Sequence, residues 1–271
     1  TSGFTSLAKT GIRFENEVSD SAVLHNRLLA QGAGVAMGDV DDDGRIDVFI
    51  GKTSGCSALY RNLGGWRFED IAAKAGVAAC DRNTTGVVLA DIDGDRDLDL
   101  VLVATTGPNA VFVNDGHGAF AERRDLGLSP VGHGGTTLAL ADVDGDGRLD
   151  LYVATYKSWQ IDDSIPPQQR SFNQMVYQVD QGKYEVAKQF RDYYKLVNRP
   201  DLGGLRLSAR GDPDEFYLNR GGKFERVPIA SSRFTDAMGK PIAEEPESWG
   251  LGAKFADLNG DGAPDLYVAN D

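Results

Sequence analysis

The chain is 271 residues long, carries a formal net charge of −13, and is 41 % apolar and 9 % aromatic, which suits a soluble globular protein with a sizeable core. An acid surplus of this size argues against a nucleic-acid partner, which needs a basic footprint. No apolar stretch approaches the ~20 residues of a membrane-spanning helix. No signal peptide opens the chain either, and a start at Thr1 rather than Met fits a mature or partial product.

Taken from the N-terminus, Leu7-Ala-Lys-Thr-Gly-Ile12 echoes Ile71-Ala-Ala-Lys-Ala-Gly-Val77 and reads as the tail of a repeat. Next comes a small, apolar run, Gly34-Val-Ala-Met-Gly38, then the acidic nonapeptide Asp39-Val-Asp-Asp-Asp-Gly-Arg-Ile-Asp47, then the β-rich Val48-Phe-Ile50. The nonapeptide recurs as Asp91-Ile-Asp-Gly-Asp-Arg-Asp-Leu-Asp99, Asp142-Val-Asp-Gly-Asp-Gly-Arg-Leu-Asp150 and Asp257-Leu-Asn-Gly-Asp-Gly-Ala-Pro-Asp265. Each copy lies between short Gly-punctuated runs that read as strands, so each is a hairpin connection.

Positions 1, 3, 5 and 9 are Asp in every copy except at Asn259, and carboxylates this dense repel one another unless a cation sits among them. Oxygen-only donors on a flexible loop suit calcium better than magnesium or a transition metal. The expected side-chain ligands are Asp39, Asp41, Asp43 and Asp47; Asp91, Asp93, Asp95 and Asp99; Asp142, Asp144, Asp146 and Asp150; and Asp257, Asn259, Asp261 and Asp265. The position 7 carbonyls of Arg45, Asp97, Arg148 and Ala263 complete the four sets, for about four calcium ions. Gly at position 6 permits a sharp turn with positive φ; the second copy has Arg96 there. An EF-hand is excluded, because its position 12 Glu is replaced by Ile50, Leu102, Val153 or Val268. With these 15 Asp set aside, 26 acidic residues face 28 basic ones, so the acidity belongs to the loops.

A second element follows each of the first three loops: Leu59-Tyr-Arg-Asn62, Val111-Phe-Val-Asn114 and Phe216-Tyr-Leu-Asn219, each with a Gly turn and a closing aromatic, reads as a second hairpin. The loops begin 52 and 51 residues apart, and 23 residues separate loop start from Asn in both of the first two copies. One four-stranded antiparallel unit per period of this length marks the blades of an all-β β-propeller. In the third repeat that separation is 77 residues, which places an insertion at about 157–213. Val186, Phe190, Tyr194 and Val197 fall at helical spacing there, predicting an amphipathic helix on the rim. Its tyrosines make it the candidate surface for a protein or glycan partner, or for a larger assembly. The chain stops just after an opening strand, so 1–271 reads either as a small closed ring or, preferably, as one propeller domain incomplete at its C-terminus.

Cys56 and Cys80 are 24 residues apart, and the expectation for an oxidising compartment is a disulfide, the alternative being two buried thiols. Asn83-Thr84-Thr85 matches an N-glycosylation triplet, a pattern often fortuitous. His25, His117 and His133 are scattered and form no metal pair, with His117 read as a turn residue and His133 as a structural residue near the channel. The carboxylates recur at ligand spacing four times, whereas a catalytic pair is expected once, so no catalytic residue is assigned. A calcium-dependent carbohydrate-active enzyme is the alternative.

These motifs, with Thr10-Gly-Ile-Arg-Phe14 and Asp265-Leu-Tyr-Val-Ala-Asn-Asp271, resemble the VCBS/FG-GAP repeat family of integrin-α-like propellers, in particular the subgroup typified by cartilage acidic protein and ASPIC/UnbV-type proteins. The resemblance covers nearly all of the chain outside the insertion. It implies a seven-bladed extracellular propeller with calcium at the positions named; fold alone does not fix function, and the role expected is that of a secreted binding, adhesion or scaffold module.

Overall fold

Runs of Val, Ile, Leu and aromatic residues set between Asp/Gly turns form strands rather than helices, and in the computed structural model they make antiparallel sheets throughout. The structure describes residues 6–7, 9–129, 134–157, 169, 171–236, 238–247 and 249–270. The first sheet is a meander of β1 (Val35–Gly38), β2 (Asp47–Ile50), β3 (Ala58–Asn62) and β4 (Phe68–Asp70). The second repeats it with β5 (Thr84–Ala90), β6 (Asp99–Ala104), β7 (Ala110–Asn114) and β8 (Phe120–Glu122).

The third sheet begins with β9 (Gly135–Ala141) and β10 (Asp150–Thr155). Two separate hairpins intervene, β11 (Val176–Asp180) with β12 (Lys183–Val186), and β13 (Tyr194–Arg199) with β14 (Gly204–Ala209). The sheet then resumes with β15 (Glu215–Asn219), which pairs with β10, and β16 (Phe224–Val227). β17 (Gly250–Ala256) and β18 (Asp265–Asn270) form a final hairpin.

The helix expected over Val186–Val197 is not formed; the four-residue spacing has another origin. Val186 ends β12, Phe190 closes the 3₁₀ turn Lys188–Phe190, and Tyr194 opens β13. The turn brings all three into one small core with Met175, Leu196 and Leu207, so a period of four arises without a helix. Among the described residues of the insertion, only the single turn Phe172–Met175 is α-helical. Pro166, Pro167 and His133 lie outside the described residues.

The sheets stack face to face, and their middle strands serve two cores at once. Leu100 and Leu102 of β6 meet Phe49 and Leu59 of the first sheet, while Val101 and Val103 meet Leu151, Val153 and Tyr217 of the third. Tyr152, Ala154, Phe216 and Leu218 then pack on Phe255, Leu266 and Val268 of the last hairpin. This two-sided burial explains why β6 and β10 are buried along their whole length and read as unbroken apolar runs rather than alternating ones.

The opening strands lie side by side in the order β1, β5, β9, β17, and the succession does not close on itself among the described residues. Their approach is close: a Cβ on Gly34 would stand 2.9 Å from the Val87 nitrogen, and one on Gly86 would stand 3.0 Å from the Thr137 Cα. Glycine is required at both places. Beside them, Thr85 donates its hydroxyl to the Gly135 carbonyl of the next sheet, and Thr136 does the same to Gly250 at 2.6 Å. Ala33 occupies the corresponding position of the first sheet and lacks a hydroxyl.

A disulfide joins Cys56 to Cys80, tying the β2–β3 connection to the segment entering β5. Asn83, the glycosylation candidate, donates its amide to the Thr53 carbonyl and accepts from Thr106, and Thr85 is buried.

Candidate metal centres

The four acidic loops occupy one place in the fold. Each joins the first two strands of a unit in identical register, the residue before the loop pairing with its ninth: Gly38 with Asp47, Ala90 with Asp99, Ala141 with Asp150, and Ala256 with Asp265. Recurrence of sequence has become recurrence of geometry.

The position 1 carboxylate organises the loop by collecting backbone N–H groups. Asp39 accepts from Asp43 and Gly44, Asp91 from Gly94 and Arg96, Asp142 from Gly145, Asp146 and Gly147, and Asp257 from Gly260, Asp261 and Gly262. At position 5, Asp43, Asp95, Asp146 and Asp261 each accept the position 7 N–H at 2.8–3.0 Å. Position 6 is left-handed in every copy, φ being 81° at Gly44, 84° at Gly147 and 85° at Gly262. Arg96 adopts φ 80° and preserves the turn despite its side chain.

The position 9 residue is a tie between strands as well as a loop member. Asp47 accepts from the N–H of Val40 and of Asn62, Asp99 from Ile92 and Asn114, and Asp150 from Val143 and Asn219. All three are fully buried, and burial pushes their carboxyls up, that of Asp99 to about 6. Burial together with neighbouring Asp95 raises Asp93 as well. A cation in the loop would oppose these shifts by favouring the ionised form.

Ligand oxygens converge in three of the loops: one from each of Asp39, Asp41 and Asp43, of Asp91, Asp93 and Asp99, and of Asp142, Asp144 and Asp146 lie within 4.8 Å of one another. In the fourth, Asn259 donates to Asp261 Oδ2 at 3.0 Å. The donors are all oxygens, which fits a hard cation. Asp41 gives an independent indication: its side chain is 8 % exposed, and Oδ1 is buried with no hydrogen-bond partner. An orphaned buried carboxylate oxygen is costly and calls for a ligand.

Sequence reasoning did not find the basic residues around the loops. Arg61 stands over Asp41 and Asp43, Arg220 over Asp144 and Asp146, and the position 7 side chains of Arg45 and Arg148 reach Asp43 and Asp146. Arg45 and Arg148 also donate to the carbonyls of Asn62 and Asn219. Arg61 and Arg220 lie outside the nonapeptide, and no fixed spacing announces them.

Residues 39–102 and 97–153 match the model of the FG-GAP-like repeat. The chain is similar to cartilage acidic protein 1: the mouse (Mus musculus), Xenopus tropicalis and human (Homo sapiens) proteins are each 25 % identical to it over 245 residues, covering 88 % of this chain. The chain spans 28–29 % of the length of these relatives. Among solved structures, the V. cholerae biofilm matrix protein Bap1 shares 18 % identity at a TM-score of 0.34, over 88 % of this chain and 34 % of that one, too slight a likeness to carry an argument.

Proposed function

We propose that this chain forms blades of an extracellular, calcium-braced β-propeller that acts as a binding or scaffold module for a protein or glycan partner. The supporting observation is the identical register of four hairpins, each closing an Asp-rich loop whose side chains form oxygen clusters in three cases. Successive four-stranded meanders stacked through their opening strands are what propeller blades look like, and seven such blades would complete the ring. The residues that would hold calcium are the loop carboxylates, Asn259, and the carbonyls of Arg45, Asp97, Arg148 and Ala263. Calcium there supplies charge neutralisation: it holds together loops whose carboxylates otherwise repel, and so stiffens the pairing of the first two strands of each blade. Four similar sites suit bracing rather than catalysis. The disulfide accords with an oxidising, extracellular setting, and no described helix is long and apolar enough to cross a membrane. The two hairpins inserted between β10 and β15 expose Tyr177 and Tyr184 and are the proposed partner-facing surface.

Melting in calcium and in EDTA tests the reading. Extracellular calcium modules bind at roughly 10⁻⁴–10⁻³ M, so calcium at ten to a hundred times the dissociation constant should stabilise by about 1.4–2.7 kcal/mol per site. A melt unchanged by EDTA, with no calcium binding by calorimetry, would sink it.

A further inference from the structure

The arginines set against the loops are unevenly distributed. Arg61, one residue before Asn62, holds Nε 2.6 Å from Asp41 Oδ2 and Nη2 3.6 Å from Asp43 Oδ2. Arg220, one residue after Asn219, holds Nη1 2.9 Å from Asp144 Oδ2 and 3.1 Å from Asp146 Oδ2. Arg45 and Arg148 give each of these loops a second guanidinium. In the second sheet the places of Arg61 and Arg220 are taken by Val113 and Asp115, and position 7 is Asp97. Among the described residues no Lys or Arg forms an ion pair with Asp91, Asp93, Asp95, Asp97 or Asp99. The first loop thus sets two arginines against Asp39, Asp41, Asp42, Asp43 and Asp47, the third sets two against four Asp, and the second keeps five Asp without a paired cation.

We infer that the loops form an affinity series in which the second takes calcium most tightly, while Arg61 and Arg220 are built-in competitors that weaken the first and third. The inference rests on the calcium reading above. Both arginines contact side chains at positions 3 and 5, which that reading assigns to the ion. A guanidinium this close must either be displaced when calcium enters or remain as a neighbouring like charge, and either course lowers affinity. The fourth loop, with Asn259 and, among the described residues, no paired arginine, falls between. As calcium rises the second unit is braced first, and the first and third follow at higher concentration.

Calorimetric titration of the whole chain with calcium chloride tests this. The wild type should show one tight site and a weaker class. Arg61→Gln and Arg220→Gln should each tighten one weak site on the order of tenfold at low salt, less at high salt. Arg61→Lys and Arg220→Lys, which keep the charge, should leave the isotherm near that of the wild type. Asp93→Ala, which removes a ligand altogether, should abolish the tight site and leave the weak ones. Gln variants with wild-type isotherms, or a tight site surviving Asp93→Ala, would overturn the series while leaving calcium binding intact. A wild type that takes up no calcium would overturn the parent reading instead. Arg61 lies in β3 of the first sheet and Arg220 in the turn after β15 of the third, so if one variant does not fold the other gives the same readout.

Discussion

Asn114 of the second sheet donates its side-chain amide to the carbonyl of Val40 in the first sheet's acidic loop, at 2.8 Å. The same group donates to the Leu98 carbonyl of its own loop, and its oxygen accepts from the Gly118 N–H. Asn219 repeats the arrangement one sheet on, reaching the Ile92 carbonyl at 2.8 Å. Val40 and Ile92 are thereby held twice: their N–H groups go to Asp47 and Asp99 of their own loops, their carbonyls to the next sheet. The first and second acidic loops are therefore joints between neighbouring sheets as well as the ends of hairpins.

Asn114→Ala should therefore be costly. The residue is 5 % exposed, and its truncation strands the buried carbonyl of Val40 together with two further partners. The expected loss is about 3 kcal/mol by denaturant unfolding. Asn62, whose amide reaches only Ile46 of its own loop and which is half-buried, should lose about 1 kcal/mol on the same substitution. Equal losses at the two positions would show that the contact between sheets adds nothing.

Arg96 invites the opposite change. At φ 80° a residue with a Cβ is strained, whereas glycine is not, and the other three loops have glycine there. Arg96→Gly should stabilise the protein by about 1 kcal/mol, read as a raised Tm in calcium-free buffer. Gly147→Ala, the converse at φ 84°, should lower Tm by a comparable amount. A lower Tm for Arg96→Gly would mean that its side chain contributes more than its backbone costs.

Loop electrostatics set a pH dependence in the metal-free protein. Asp99 titrates near 3.8 when unfolded, and burial pushes it up to about 6 when folded, so the native state holds the proton more tightly. Its stabilising contribution is complete below the unfolded value and is lost as pH rises through about 6. Asp47 and Asp150 shift the same way for the same cause. In EDTA the melting temperature should therefore fall between pH 5 and pH 7, and Asp99→Asn should flatten that slope. A slope that is unchanged in Asp99→Asn would assign the dependence to other groups.

What was legible in the sequence was local. The hairpins, their loops and the four-stranded period could be read because Asp and Gly recur within nine residues, where their chemistry is self-contained. Asn114 could be seen as a turn marker but not as a joint, because its partner Val40 lies 74 residues away. Arg61 and Arg220 escaped for a related reason, each approaching its loop from a different strand position. The insertion was misread because a spacing of four fits both a helix and two strands bent about a 3₁₀ turn; the backbone decides between them, and the side chains do not.

Reducing the Cys56–Cys80 bond should cost about 3 kcal/mol, because the 24-residue separation confines the unfolded chain. β2 runs from the first acidic loop at Asp47 to Ile50, and the bond lies beyond its far end. The two act on different terms, since the disulfide restricts the unfolded ensemble and calcium would bind only the native loops. Reduction and chelation should therefore be additive to within about 0.5 kcal/mol in a four-way comparison of unfolding free energies. A coupling well above that value would mean that the Cys56 end of the first sheet and its Asp39–Asp47 loop order one another, which the separate hydrogen-bond networks around Ser57 and Asp47 do not provide.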